Sequence, residues 1–94
     1  MNQEVVHMKY LPLGSVVMTA RSTHPFMIIA RMFKKPGKQE YFDYRGVPYP
    51  EGNINPENIQ CFDREDITEI LFVGYECEIE ERFQEYLSSK RGRT

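Results

Sequence analysis

The chain has 94 residues, of which 40% are apolar and 28% are charged, and its formal net charge at pH 7 is -2. A chain of this length suits one domain around one modest core rather than two independent cores. Because acidic and basic residues nearly balance, the composition gives no electrostatic reason to expect nucleic acid or an anionic membrane as the partner.

The amino-terminal sequence predicts neither a secretory signal nor a membrane span. Residues 1–14, MNQEVVHMKYLPLG, lack the basic start and the long apolar run of a signal peptide. No segment approaches the roughly 20 apolar residues that cross a bilayer. We therefore expect a cytoplasmic protein with residues 1–9 as a loose arm, in which Cys61 and Cys77 are free thiols rather than a disulfide.

The first half of the chain predicts three strands. Residues 15–21, SVVMTAR, are rich in β-branched side chains and are bounded by turn residues. Residues 26–33, FMIIARMF, form the most apolar run, so we expect a central strand that is covered on both faces. Residues 34–38, KKPGK, place Pro-Gly as a type II turn requires. A third strand is predicted over residues 39–45.

Alternation along the third strand divides its side chains between two faces. Phe42 and Tyr44 fall on one face and are expected in the core. Tyr41 falls on the other face, together with Asp43 and Arg45. A tyrosine beside two charged residues is hard to bury, so the buried and exposed interpretations of Tyr41 are equally supported.

Residues 46–58 are predicted to be a long loop, because their prolines and glycines interrupt regular structure. Tyr49 lies between two prolines on a stiff extended segment. It either folds back as a lid on the core or is held out for a partner. The candidate partner-binding residues are Tyr41, Tyr49 and Glu51.

The remaining sequence predicts two short strands, over residues 59–62 and 70–73, and a helix over residues 76–89. Between the two strands, DREDITE is interpreted as a solvated acidic turn. Ile79, Phe83 and Leu87 recur every four residues, which is typical of an amphipathic helix that docks on a sheet.

These elements predict a single α+β domain over residues 1–94. Its sheet is expected to be a small curled antiparallel sheet or a partly open barrel of four to five strands. One C-terminal helix follows the sheet, and residues 90–94 form a basic tail.

No catalytic or metal-binding constellation stands out in the sequence. The two histidines, His7 and His24, lie 17 positions apart, and neither cysteine belongs to a CxxC pair. DREDITE lacks the glycine of a calcium loop, and GVPYPEG has the wrong spacing for a phosphate loop. We therefore expect no enzyme, no cofactor and no metal site. Lysine clusters and aromatics suit a single-strand binder, but the glutamate-rich helix opposes nucleic acid.

Four stretches carry a family resemblance: LPLGSVV, MIIARM, YFDYRGVPYPEGN and CFDREDITEILFVGYECEIEERF. In this order they resemble the 4176 family of domains of unknown function, which are small proteins of Gram-positive bacteria (Bacillota). The resemblance implies motif glycines at turns with positive φ and no catalytic role for any motif residue. The motif falls on Gly14, Tyr44, Gly46, Tyr49, Pro50, Glu51, Gly52, Gly74 and Tyr75.

The resemblance also implies a function. Genes of this family are common in loci for LXG-type toxins exported by type VII secretion, where members act as small cytosolic accessory proteins. We therefore expect a non-catalytic protein-binding module, a chaperone or adaptor, whose partner is an LXG-type toxin or its targeting region. An immunity protein that neutralises the toxin domain through an acidic surface is the alternative, followed by an enzyme or a nucleic-acid binder. The oligomeric state stays open.

Overall fold

The structure, a computed structural model, describes residues 9–91. Most of the predicted arm (residues 1–9) and of the predicted basic tail (residues 90–94) lies outside this range. The described chain forms five strands and one α-helix in the order β1 (Val16–Thr19), β2 (Phe26–Lys34), β3 (Tyr41–Pro48), β4 (Gln60–Phe62), β5 (Ile67–Phe72) and α1 (Glu78–Arg91). Single 3₁₀ turns lie at Pro56–Asn58 and Arg64–Asp66.

All five strands belong to one antiparallel sheet with the order β4-β3-β2-β1-β5. β2 is the middle strand, as its apolar sequence predicts, and β4 and β5 are the two edges. β4 does not pair with β5 within the described residues, so the sheet is open. The predicted α+β class, with an antiparallel sheet and one C-terminal helix, is confirmed.

Every strand contributes to one hydrophobic core, which α1 and the segment before β1 complete. The rings of Tyr10 and Tyr44 meet edge to face at 5.6 Å, and Tyr44 lies 5.8 Å from Phe62. Tyr44 is therefore a core residue as predicted, whereas Phe42 is only half-buried. The buried cluster comprises Tyr10, Val17, Phe26, Ile28, Tyr44, Phe62, Ile67 and Leu87.

β3 runs three residues beyond its predicted end. Gly46 pairs with Ile28, and Pro48 pairs with Phe26 at the end of the strand. A side chain at Gly46 would come within 3.1 Å of both the Met27 carbonyl oxygen and the Phe62 ring, so glycine lets the strands approach closely. The predicted start of the loop at residue 46 is therefore wrong, and the loop begins at Tyr49.

Two bulges interrupt the pairing of β5 with β1. Val16 pairs with Phe72 and Val17 pairs with Ile70, which leaves Leu71 as the extra residue on β5. A second register shift, between the Met18–Glu69 and Thr19–Ile67 pairs, leaves Thr68 as the extra residue on β5. A bulge breaks the in–out alternation of a strand, so the apolar residues at the end of β5 do not turn into the core together.

A third bulge lies in β2, at Ile29, between the pairs formed by Ile28 and Ala30. The Ile29 side chain is 37% exposed. The expectation that β2 is covered on both faces is therefore wrong at this residue, because the bulge turns an apolar side chain outward.

α1 begins and ends two residues later than predicted and docks through a mostly polar face. The Arg31 guanidinium of β2 donates two hydrogen bonds to the Glu80 carboxylate. The Gln84 side chain accepts a hydrogen bond from the Tyr10 backbone N–H at 2.9 Å and donates one to the Tyr10 carbonyl. Leu87 is the one member of the predicted apolar stripe that is buried, at 2% exposure.

The prediction that Ile79 and Phe83 dock on the sheet is wrong, since they are 73% and 42% exposed. Arg31 has a buried side chain and needs a carboxylate partner, because an uncompensated buried charge is costly. Pairing with Glu80 rotates α1 so that Ile79 and Phe83 turn away from the core.

The Arg31–Glu80 contact makes stability depend on pH. Partial burial opposes ionisation, but the hydrogen bonds from Arg31 and Gln84 outweigh it and lower the pKa of Glu80 below 4.5. Because the pKa is lower in the folded state, the stabilisation is present above the unfolded-state pKa and is lost as pH falls through the folded-state pKa.

Glu80→Gln should therefore melt at a lower temperature than the parent chain at neutral pH. It should also lose less stability as the pH falls through the lowered pKa of Glu80, because the parent protonates this carboxyl there and the glutamine has no proton to take up. Thermal melts followed by circular dichroism at several pH values measure both effects. Glu85→Gln is the control, since Glu85 is an exposed glutamate of the same helix. If acid lowers the melting temperature of Glu80→Gln as much as that of the parent, the Arg31–Glu80 contact is not the source of the pH dependence.

Candidate protein-binding surface

The three predicted partner-binding residues do not lie together. Tyr41 begins β3 and Tyr49 follows its last residue, so they are about 26 Å apart along the strand at roughly 3.3 Å per residue. Both are exposed, at 39% and 48%. Tyr49 lies outside the buried cluster, which favours the exposed interpretation over a lid on the core. Partner binding by these residues stays a prediction.

Glu51 is engaged within its own chain. Its Oε1 lies 2.9 Å from His24 Nε2, and both side chains are about half exposed. The hydrogen bond from His24 lowers the pKa of Glu51. The pair holds the loop after β3 against the β1–β2 turn, where Tyr49 N–H also donates to the Pro25 carbonyl at 3.0 Å. A cavity of about 360 Å³ opens beside this pair, bordered by Pro48.

The four motif glycines that lie in this fold have two different roles. Gly14 and Gly52 have φ of 88° and 79°, so the expected positive φ is confirmed there. It is wrong for Gly46 and Gly74, which are not among the positive-φ glycines. At Gly74 a side chain would collide with the Leu13 carbonyl, so glycine is required by close approach of two backbones.

Ser15 ties the same two segments together. Its buried hydroxyl donates to the Pro12 carbonyl at 2.7 Å and accepts from Gly74 N–H at 2.9 Å. The LPLGSVV and FVGY stretches therefore meet at the end of β5, although 59 positions separate Ser15 from Gly74. These motif residues hold two distant segments of the chain together and so stabilise the fold.

The acidic stretch DREDITE is partly internal, so its interpretation as a solvated turn is wrong. Arg64 is 5% exposed and its backbone N–H donates to Asp43 Oδ2 at 2.9 Å. Asp43 also accepts from the Tyr10 hydroxyl at 3.3 Å. Asp63 and Asp66 form a capping box around the 3₁₀ turn. Two of the carboxylates in this stretch are therefore committed to holding it in place.

Exposed apolar side chains concentrate near the carboxyl end of the described chain. Seven of the twelve large exposed apolar residues among residues 9–91 lie between Leu71 and Tyr86. They form two groups. The strand-end surface comprises Leu71, Phe72, Val73 and Tyr75, and the helix stripe comprises Ile79, Phe83 and Tyr86.

The strand-end surface follows from the bulge at Leu71. Leu71, Phe72 and Val73 are consecutive, and they are 47%, 61% and 45% exposed. Tyr75, after Gly74, is 81% exposed, the highest value among the large apolar residues described. Several exposed apolar side chains in one short segment make that segment a candidate interaction site. The sequence does not reveal this surface, because the apolar run before Gly74 predicts a strand but not which of its side chains are exposed.

The helix stripe is ordered by contacts among its own members and with the sheet. The Phe83 and Tyr86 rings stack at 5.5 Å, and the Arg31 guanidinium lies 5.2 Å from the Phe83 ring centre. The signal for the stripe was present in the sequence, because Ile79, Phe83 and Tyr86 are spaced by four and three residues.

Neither a metal-binding cluster nor a membrane-spanning helix is found among residues 9–91. Between residues 9 and 91, no group of three or more His, Cys, Asp or Glu side chains is placed to hold a metal ion. No helix in that range is long and apolar enough to cross a membrane. Cys61 and Cys77 are free and half-buried.

An open five-stranded sheet, one helix docked by polar contacts and an exposed apolar carboxyl-terminal region define a small α+β domain. The chain belongs to the family described as Domain of unknown function (DUF4176), whose model matches residues 10–83. The resemblance in the sequence is thereby confirmed. No curated protein and no solved structure matches the chain.

Proposed function

We propose that this protein is a non-catalytic, cytoplasmic binding module that acts as an accessory chaperone or adaptor for an LXG-type toxin exported by type VII secretion. The toxin context comes from the family resemblance. The observation that supports binding is the strand-end surface, where four large apolar side chains stand exposed in the five residues from Leu71 to Tyr75.

The strand-end surface suits an apolar segment of a partner protein. Fully burying one large apolar side chain contributes about 1.5–3 kcal/mol, so covering several of them supplies useful affinity. Glu69 and Glu76 are exposed on either side of the surface along the chain. A partner segment with apolar residues between basic ones complements both features. Tyr41, Tyr49 and Glu51 remain candidate contacts outside this surface.

The proposal predicts that the strand-end surface holds the toxin. Tyr75→Glu and Val73→Glu should each weaken retention of a co-expressed LXG toxin at least about tenfold, because a desolvated apolar anchor is replaced by a charge. Affinity capture of the tagged protein followed by quantification of the toxin measures this. Ile54→Glu is the control for an added charge, since Ile54 is 77% exposed in the loop after β3 and does not belong to the strand-end surface.

Equal toxin retention by all three variants would contradict the assigned surface, and no retention by the parent chain would contradict the toxin partnership. The immunity alternative has a separate readout. Rescue of cells from the isolated toxin domain, without its targeting region, would assign neutralisation in place of chaperoning.

A further inference from the structure

We propose that the helix stripe binds a second copy of this chain, with the two α1 helices antiparallel about a two-fold axis. The stripe comprises Ile79, Phe83 and Tyr86, and none of these belongs to the strand-end surface. The inference is therefore independent of the proposed toxin-binding role, and either can fail without the other.

The stripe is available while α1 stays docked on its own sheet. At about 100° per residue, the docked residues Glu80, Gln84 and Leu87 are centred about 100° around the helix from the stripe. Ile79 and Tyr86 are 73% and 53% exposed. A second helix can therefore pack along the stripe without displacing the contacts to Arg31 and Tyr10.

The spacing of the stripe is that of a seam which packs against a like helix. Ile79, Phe83, Tyr86 and Lys90 are separated by four, three and four residues, the alternation of a and d positions in a coiled coil. Lys90 continues the seam with its aliphatic stem, and its ammonium group lies 5.9 Å from the Tyr86 ring centre.

The charge pattern of α1 selects an antiparallel second copy. The first turn is acidic, with Glu78 and Glu81 exposed, and the last described turn contains Lys90. Glu78 also pairs with Arg82 of its own helix at 3.0 Å, on the exposed surface where its second oxygen stays accessible to a lysine of another copy. An antiparallel pair places the acidic end of each helix beside the basic end of the other, whereas a parallel pair places like charges together. The surface therefore complements itself in one orientation.

One register satisfies both the seam and the charges. When Phe83 lies opposite Tyr86 of the second copy, Ile79 lies opposite Lys90 of the second copy. Glu78 then lies beside that same lysine. The two-fold axis then passes between Gln84 and Glu85, and every contact occurs twice, as in an isologous interface. The existing Phe83–Tyr86 stack becomes the centre of a four-ring cluster.

The first test is the solution mass of the full chain. A seam of two heptads is at the small end of specific interfaces, so we expect a dissociation constant of about 10–100 µM. Sedimentation equilibrium between about 5 and about 500 µM should show the mass rising from 11.1 kDa toward twice that value. Phe83→Glu and Ile79→Glu should stay monomeric, whereas Ile54→Glu should associate like the parent.

The second test uses charge. Glu78→Lys alone and Lys90→Glu alone should each associate at least about fivefold more weakly, because every facing end then carries like charges. An equimolar mixture of the two variants should associate at least as well as the parent chain, since both ends become complementary. A folding defect in either variant cannot produce this recovery.

A mass that stays at 11.1 kDa over the whole concentration range would overturn the proposal. Association that persists in both Phe83→Glu and Ile79→Glu would also overturn it, because the interface would lie elsewhere. Failure of the mixture of charge variants to associate would overturn the antiparallel arrangement.

Discussion

Asp43→Ala should lower the free energy of unfolding by about 3–5 kcal/mol, a large share of the roughly 5–15 kcal/mol available to a domain. Asp43 Oδ2 lies 3.7 Å from Arg64 Nε, and the two side chains are 4% and 6% exposed. The alanine variant leaves a guanidinium buried without its carboxylate. It also removes the acceptor for the Arg64 backbone N–H, so the 3₁₀ turn before β5 loses its anchor.

Urea unfolding at neutral pH measures this loss. The control is Glu65→Ala, an exposed acidic residue in the same turn, which should change stability by less than about 0.5 kcal/mol. Asp43→Leu combined with Arg64→Met should regain part of the loss, because neither charge is then left unpaired. Similar effects of Asp43→Ala and Glu65→Ala would contradict the role assigned to Asp43.

Local signals made the central place of β2 and the turn between β2 and β3 predictable. In KKPGK, the Lys38 N–H donates to the Lys35 carbonyl at 3.1 Å and Gly37 has φ of 71°, as a type II turn requires. The apolar run of β2 likewise predicts its central place in the sheet. Such features depend on neighbouring residues, so the sequence alone is sufficient to predict them.

The orientation of α1 was not predictable in the same way. The spacing of Ile79, Phe83 and Leu87 favours burial of all three, but the helix is oriented by Glu80, whose partner Arg31 lies 49 positions away. A buried arginine in an apolar strand gives no local sign of which carboxylate it will meet. Long-range pairing of polar groups therefore overrode the apolar periodicity.

The candidate site was only partly predictable for a similar reason. The exposure of Tyr41 and Tyr49 agrees with their neighbours in sequence, namely charged residues and prolines. The strand-end surface depends instead on the bulge at Leu71, which is a property of the register between β5 and β1. Register is set by the whole sheet and by the Ser15–Gly74 contact, and a single strand sequence does not specify it.

The bulge at Leu71 and the Ser15–Gly74 contact explain the roles of two adjacent motif residues, Gly74 and Tyr75. Gly74 lets the end of β5 lie against the Leu13 carbonyl, and the chain then turns Tyr75 into solvent. The motif glycine is therefore buried, whereas the motif tyrosine beside it is exposed. A substitution of Gly74 should therefore lower stability, whereas a substitution of Tyr75 should weaken partner binding.

Gly74→Ala should accordingly lower the free energy of unfolding by about 3 kcal/mol, through overpacking and a lost hydrogen bond together. Its side chain would collide with backbone atoms of Leu13, which a rotamer change cannot relieve, and overpacking of this kind costs about 1–3 kcal/mol. Moving the backbones apart also breaks the buried hydrogen bond from Gly74 N–H to Ser15, adding about 1–3 kcal/mol.

Gly37→Ala is the matched control, because Gly37 has positive φ but no atom within 4 Å of a built side chain. Backbone strain alone should cost that variant about 1–2 kcal/mol. Urea unfolding of both variants, together with Ser15→Ala, separates collision from strain and from the lost hydroxyl contact. A loss in Gly74→Ala no larger than the loss in Gly37→Ala would contradict the close approach of the Gly74 and Leu13 backbones, because Gly74 has no positive φ to account for its cost. Because Tyr75→Glu leaves Gly74 in place, that variant should retain the stability of the parent while losing the partner.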